Sequence, residues 1–389
     1  MNNKASGIVC EFNPLHLGHE YILSEMKKNK PVVCIMSGNF VQRGEPAIID
    51  KWERTKMALS CGADLVIELP VSFSLAGAEK FALGSIHLLN SLGFVENICF
   101  GSECGDSEKL QLITECIQTN EFNLLIKKYI NTGITFAKAR ELCVLEILGE
   151  DYSNVLQGSN NNLAIEYIKA INTLQCDLKI NTIKRIGTSH DNLEIDTFPS
   201  AMAVRNSIYN NEDLSEFLPK TCLEIYNNAK TNNLCPTDFN KLETAILAKL
   251  RTSDNFKNLP DVSEGIDNKL LKSIKTAKNL DELYDLIKSK RFTHARIRRL
   301  VLSAFLGIEK NDNLPSFIKI LGISKDGSKL LSLKKNTLPI VGKFADVKKL
   351  DKTALDEYTL ETKCDDIYAL CQPKIQPCGL SFTKEIIRM

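Results

Sequence analysis

Up to about residue 205 the chain alternates short apolar runs with longer stretches of helical period, and this rhythm limits the fold more than any single residue does. Residues 7–12 form a first apolar run, and Pro31-Val32-Val33-Cys34-Ile35-Met36 a second that ends at Ser37-Gly38. Residues 63–70 give a third, Asn97-Ile98-Cys99-Phe100-Gly101 a fourth, and 179–185 a fifth. Between them the period is helical: from about His19, over 52–61 to a stop at Gly62, over 76–92 to Gly93, and through most of 107–149 and 162–174. Unbroken apolar runs alternating with helices imply a parallel sheet covered on both faces, with ligands at the carboxyl ends of its strands. Residues 1–206 are therefore expected to form an α/β, Rossmann-like domain.

Beyond about 206 the pattern changes. Helical segments follow one another over 212–230, 238–251, 267–275, 280–289 and 294–307. Residues 207–389 read as a largely α-helical region. From about 314 a small mixed α/β unit is expected, with strands at 317–323 and 338–341 around a helix at 326–333.

With 49 basic against 48 acidic residues the net charge is +1, so any nucleic-acid surface must be a local patch. The N-terminus shows no signal peptide, and no apolar run is long enough to span a bilayer. The 13 cysteines are accordingly expected to be reduced thiols of a cytoplasmic protein without membrane contact. Cys364, Cys371 and Cys378 are evenly spaced, but the chain has no C-x-x-C pair; they read as separate structural thiols, and no metal site is expected.

The segment Gly7-Ile8-Val9-Cys10-Glu11-Phe12-Asn13-Pro14-Leu15-His16-Leu17-Gly18-His19-Glu20 carries the chemistry. Asn13-Pro14 breaks the first strand, and His16 and His19 fall at the start of the next helix. Backbone N–H groups there favour anions. Two imidazoles at that point suit a triphosphate attacked at its α-phosphorus, because they can donate to the charge that develops. Two histidines at this spacing alone also fit satisfied surface residues or zinc ligands; the strand–turn–helix context favours the nucleotide. The segment resembles the H-x-G-H site of the nucleotidyltransferase and class I aminoacyl-tRNA synthetase superfamily.

Other loops fall on the same sheet edge. Residues 36–47 follow the second strand; the loop's glycines allow close approach, Arg43 can pair with phosphate or carboxylate, and Ser37 and Gly38 are further possible substrate or phosphate contacts. Gly101, Ser102 and Glu103 end the fourth strand and are possible contacts for adenine, ribose or substrate. Asn160 and Asn161 open a helix after Ser159 and can cap it or bond a nucleotide, capping alone being the reading the residues themselves favour. Arg185, in Lys184-Arg185-Ile186-Gly187, is a candidate phosphate or base contact. Ser200 and Arg205, after Pro199, are what remains here of the Ser/Thr-rich turn with an arginine that grips the β- and γ-phosphates in many nucleotidyltransferases, the superfamily this chain resembles. Residues 291–299, if helical, put Ile297, Leu300 and Val301 on one side and Arg291, Arg298 and Arg299 on the other, with Arg296 at the margin. A solvated helix face is the alternative to a phosphate-contacting one.

Together these segments resemble, over essentially the whole chain, the bacterial tRNA(Met) cytidine acetate ligase family. The resemblance implies that ATP is bound by residues 7–20, Gly101, Asn160 (or Asn161, one register on) and Arg185. It implies that acetate and ATP form acetyl-adenylate, and that the acetyl group passes to the exocyclic amine of the wobble cytidine of elongator tRNA(Met). Mg2+ is a candidate companion of the nucleotide. The chain departs from the family pattern at Cys10, Leu15 and Ser159, where a small residue such as alanine, phenylalanine and proline are expected; no polar group needed for the chemistry is lost. The absence of G-x-x-x-x-G-K and G-x-G-x-x-G disfavours a P-loop or dinucleotide fold, and no acetyl-CoA pyrophosphate loop is present. Two other functions remain open from sequence: adenylylation of a small phosphorylated metabolite, and a non-enzymatic, nucleotide-gated RNA-binding protein.

Overall fold

The computed structural model describes residues 4–185, 198, 200–263, 265–333 and 335–389. One sheet organises the chain. Its strands are β1 (Ala5–Cys10), β2 (Val32–Ser37), β3 (Leu65–Leu69), β4 (Val95–Ser102), β5 (Lys179–Lys184), β6 (Ile318–Ile323), β7 (Ile340–Val341) and β8 (Ile387–Arg388). They lie in the order β8-β6-β3-β2-β1-β4-β5, with β7 beside β6. All neighbours are parallel except β3 and β6. Strands β2 and β3 are buried along their whole length, as a sheet covered on both faces requires.

The chain steps outward from β1 to β2 and β3, then returns to lay β4 and β5 on the other side. The order therefore reverses between β1 and β4, and the crevice beyond their carboxyl ends is where such sheets bind ligands. Helices α1 (Leu17–Lys27), α2 (Lys51–Ser60), α3 (Ala78–Ser91) and α4 (Ser159–Leu174) cover the faces. Phe81, Ile86 and Leu89 of α3 join Ile165 and Ile168 of α4 in one core with Val33 and Ile35. On the other face Leu23 and Met26 of α1 and Met57 of α2 meet Ile8, Cys34 and Met36, together with Val204 of α5 (Ala201–Tyr209).

The helical region has its own core, in which Ile246, Leu250, Leu270 and Leu283 meet Ile297 and Leu300 of α6 (His294–Leu306). It is bound to the sheet loops through Phe40 and Val71, which pack with Leu302 and Leu306 of α6 and Tyr368 of α7 (Lys352–Tyr368). No described helix is long and apolar enough to cross a membrane.

The segment from 314 does not stand apart. Strand β6 pairs antiparallel with β3, Glu68 opposite Lys319, so the residues expected to form a separate small unit extend the first sheet. Local periodicity reports that a strand exists and not which edge it joins. The expected helix over 212–230 begins only at Lys220, and 238–251 divides into a short 3₁₀ turn and the helix Glu243–Arg251. Helix α7 has no counterpart among the expected elements. Its buried face includes Glu361, Thr362 and Asp365 beside Ala354, Tyr358, Cys364 and Tyr368, so no apolar stripe marks it.

Candidate active site

Strand β1 ends at a turn that α2 holds from beneath. Arg54 of α2 is fully buried, and its guanidinium donates to main-chain carbonyls at the ends of β1 and β2. Nη1 reaches Glu11 O at 2.6 Å and Ser37 O at 3.0 Å, Nε reaches Ile49 O at 3.0 Å, and Nη2 bonds Gly38 O. The Glu11 carboxylate accepts from Gln42 N at 2.7 Å, and Asn13 Oδ1 from Ile48 N at 2.7 Å. Burial pushes the Glu11 carboxyl up from its ordinary value. Arg205 of α5 donates to Asn13 O at 2.9 Å, so this turn is tied to the end of the first 206 residues.

The two histidines open α1. His16 is its N-cap: Nδ1 accepts from Gly18 N at 3.1 Å, while His19 Nδ1 accepts from His16 N at 3.3 Å. The rings stack with centroids 3.7 Å apart, and Phe12 meets His19 edge-on at 5.1 Å. Burial, with Arg185 and Arg205 nearby, pulls His16 down to about 4. Burial, His16 and Arg185 also pull His19 down. Both rings are therefore neutral near pH 7. Because each Nδ1 accepts a backbone proton, each ring carries its own proton on Nε2. Two N–H donors are thus fixed in one tautomer at a helix N-terminus. Gly18 leaves room for them, since a Cβ there would lie 3.1 Å from His16 Cε1.

His19 faces an open cleft of about 1360 Å³ at the β1/β4 crossover. Ile8 to Asn13, His19, Arg43, Gly101, Asn160, Arg185 and Arg205 line it. A smaller pocket beside it is lined by His16, Gly18, His19, Lys184, Arg185 and Phe198. Other residues of the 7–20 segment have structural positions. Gly7 lies inside the sheet, where a Cβ would come within 2.6 Å of Leu89, and Leu15 is fully buried. Pro14 is buried too, Leu17 N donates to Phe217 O, and Glu20 faces Cys61. Ile186, Gly187 and Pro199 lie outside the described residues.

On the β4 side, Gly101 sits under Arg185, with its Cβ position 3.3 Å from Arg185 Cγ. Arg185 Nη1 reaches Asn160 Oδ1 at 3.4 Å. Three expected ligand contacts are engaged elsewhere. Ser102 is buried, with Oγ 2.5 Å from Thr182 Oγ1 and accepting from Gly105 N. Glu103 accepts from the backbone N of Asn160 and Asn161, closing the N-terminus of α4. Asn161 is buried and bonds Glu103 N, Cys104 N and Val155 O. Asn160, and not its neighbour, lines the cleft. Similarly Ser37 and Gly38 turn inward and give their carbonyls to Arg54, while Arg43 is exposed at the cleft. Ser200 caps α5, accepting from Ala203 N at 3.2 Å.

The profile of the HIGH Nucleotidyl Transferase family matches residues 3–380. A tRNA(Met) cytidine acetate ligase of Caldanaerobacter subterraneus subsp. tengcongensis is 40% identical over 402 residues, covering 99% of this chain and all of the relative. One from Thermoanaerobacter sp. strain X514 is 39% identical, covering 98% and 99% of the two chains. This chain belongs to the tRNA(Met) cytidine acetate ligase family. A crystal structure of Thermotoga maritima TmcAL bound with alpha-thio ATP matches the fold with a TM-score of 0.91 at 31% identity, over 99% of each chain.

For a member of this family, the basic helix is less free than its sequence implies. Arg296 donates to Asp261 O at 2.9 Å and Ser263 Oγ at 2.6 Å. Arg299 meets Asp261 at 3.4 Å and Gln42 O at 3.2 Å. Arg298 lies over the Tyr284 ring, 5.8 Å from its centroid, and Arg291 is exposed. Gly44 packs so tightly on α6 that a Cβ would meet Arg299 N at 2.6 Å. Arg54 and a buried ionic cluster were not legible as site-forming residues. In that cluster Lys51 bonds Glu68 at 2.6 Å and Asp365 at 2.5 Å, and Lys319 bonds Glu68 at 2.8 Å. Burial would raise Glu68, but Lys319 and Lys51 hold it at about 2. Among the described residues no set of three or more His, Cys, Asp or Glu gathers as metal ligands. Cys364 and Cys371 are buried and Cys378 is exposed.

Proposed function

We propose that this chain activates acetate with ATP and acetylates the exocyclic amine of the wobble cytidine of elongator tRNA(Met). An acetate oxygen attacks the α-phosphorus, the bond to the β-phosphate breaks, and pyrophosphate leaves with acetyl-adenylate behind it. The cytidine amine then attacks the acetyl carbonyl; the new C–N bond replaces the C–O bond to phosphate, AMP leaves, and the amine loses a proton.

The observation that carries this reading is the pair of neutral imidazoles, each with its proton on Nε2, at the head of α1. His16 and His19 act as donors to the phosphates as charge shifts onto pyrophosphate. Arg185, Arg43 and Arg205 supply positive charge around the cleft, and Gly101 and Asn160 take the nucleoside end. Ile8 to Asn13 and Gly18 line the site; the remaining residues between 7 and 20 support it from behind. Mg2+ can accompany the triphosphate. Residues 1–206 carry the nucleotide chemistry, and the helical part of 207–389 meets the tRNA through Arg291 and Arg298, with Arg296 and Arg299 bracing them. A tRNA substrate places the protein in the cytoplasm.

Acetate-dependent exchange of pyrophosphate into ATP tests the first step, and transfer of labelled acetate to tRNA the second. Both activities are expected without acetyl-CoA. Transfer from acetyl-CoA in the absence of ATP would overturn the reading.

A further inference from the structure

A second cavity adjoins the ATP cleft on the other side of the short hairpin Phe40–Val41/Glu45–Pro46. It is an open space of about 710 Å³, continuous with solvent. Glu45, Arg205, Tyr209, Asn240, Tyr284 and Arg298 are among the residues around it. Arg205 lines both spaces. The hairpin thus turns Gln42 and Arg43 toward the nucleotide and Glu45 toward the second cavity, with one guanidinium common to both.

Two residues lining this cavity each carry a buried polar atom that lacks a hydrogen-bond partner among the described residues. Among the described residues, Glu45 Oε1 accepts no hydrogen bond and its one ion-pair contact is Arg205 Nη2, at 3.6 Å. Tyr284 is 6% exposed, and its hydroxyl bonds to nothing among the described residues. Buried polar atoms are normally satisfied, and a ligand that completes them is the economical explanation. The ligand must offer a donor to a carboxylate and an acceptor to a phenol, and must suit the aromatic and guanidinium faces of Tyr209, Tyr284 and Arg298. A cytosine base meets all three conditions. Its exocyclic amine donates, its O2 and N3 accept, and its ring stacks.

We propose that this cavity receives the acceptor cytosine, unstacked from the RNA, and that Glu45 takes the proton its amine releases. The assignment rests on the proposed acetate-transfer function. As the amine nitrogen bonds the acetyl carbon and AMP departs with the electrons of the broken C–O bond, the N–H proton passes to the Glu45 carboxylate. Arg205, between the two spaces, faces the AMP phosphate on one side and Glu45 on the other. The Tyr284 hydroxyl donates to the base and fixes its orientation. Arg298, stacked on Tyr284, forms the floor of this pocket, which gives a basic helix side chain a role in holding the base.

The test compares two variants with the wild type, measuring pyrophosphate exchange and tRNA acetylation on the same preparations. Glu45→Gln keeps the size of the side chain and cannot accept the proton. Its maximal rate of acetyl transfer should fall by about 100-fold relative to its exchange rate, with the half-saturating tRNA concentration within about 2-fold of wild type. Tyr284→Phe should raise that concentration by about 3- to 10-fold, the worth of one hydrogen bond, without lowering the melting temperature, because the hydroxyl has no partner to lose among the described residues. A Glu45→Gln variant whose transfer and exchange keep the wild-type ratio overturns the proposal, and so does Tyr284→Phe with wild-type tRNA saturation. A wild type that exchanges pyrophosphate but never acetylates tRNA sinks the underlying function instead.

Discussion

Arg54 Nη1 lies 2.6 Å from Glu11 O, and the same guanidinium holds the carbonyls of Ser37, Gly38 and Ile49. An arginine with no carboxylate partner among the described residues thus gathers the ends of two parallel strands under the nucleotide cleft. Lysine offers one compact donor where this site uses a planar fork. Arg54→Lys should lower unfolding free energy by about 3 kcal/mol, since buried carbonyls lose a charged donor. Denaturant unfolding gives the stability, and acetate-dependent exchange should fall with it.

The histidines have a structural and a chemical role, and two substitutions separate them. His16→Ala removes the helix cap together with the donor, and should cost about 1 kcal/mol of stability as well as roughly 10²–10³ in adenylation rate. His16→Asn restores a capping oxygen without restoring the Nε2–H donor. It should recover the melting temperature while exchange stays low. Recovery of exchange by asparagine would mean the ring serves only as a cap.

The same residue sets a pH dependence. His16 ionises near 4 in the fold against an ordinary value of 6.5, chiefly through burial, with Arg185 and Arg205 adding to it. The unfolded chain therefore binds the proton first as pH falls. Stability is highest above 6.5 and declines toward 4, and His19, shifted the same way, adds to the slope. Glu11, raised by burial, acts in the opposite sense: its share of stability is present at low pH and is lost as pH rises through its folded value. Unfolding measured at intervals between pH 6.5 and 4 should show a shallower decline for His16→Asn than for the wild type.

Along the basic stretch 291–299, single substitutions should divide into two classes, Arg291 preceding α6 and Arg299 lying within it. Arg291→Ala removes one exposed charge and should reduce the slope of log affinity for tRNA against log salt by up to about 1, with no change in melting temperature. Arg299→Ala breaks the contacts to Asp261 and Gln42 and should lower the melting temperature. Salt titrations and thermal melts on both variants decide it.

The strand–turn–helix setting of His16 and His19 was legible because it is local: an apolar run, a proline break and a helical period lie within twenty residues. Asn161 and Glu103 show where locality stops. Glu103 stands in the loop after β4 and Asn161 in the first turn of α4, both at the ligand edge, yet their polar atoms meet each other's backbone across 58 residues. Sequence shows a polar side chain at the edge but not the direction it points. Arg54 did leave a signal, since it shares a helical stripe with Met57, Ala58 and Cys61, and an arginine on a buried stripe requires partners. Strand β6 carried a similar one: Lys319 and Glu68 interrupt two otherwise apolar runs and answer each other across the sheet.

That antiparallel strand also bears on how the chain is made. During synthesis the five parallel strands are complete by residue 184, but the partner of Leu65–Leu69 comes only with residues 318–323. For more than a hundred residues of translation the growing chain carries a bare, apolar strand edge, with the Glu68 carboxylate paired to Lys51 but still without Lys319. Such an edge is an invitation to pair with the wrong chain. Excising residues 1–206 would make that transient condition permanent, so the fragment should aggregate even though every group of the nucleotide cleft lies within it.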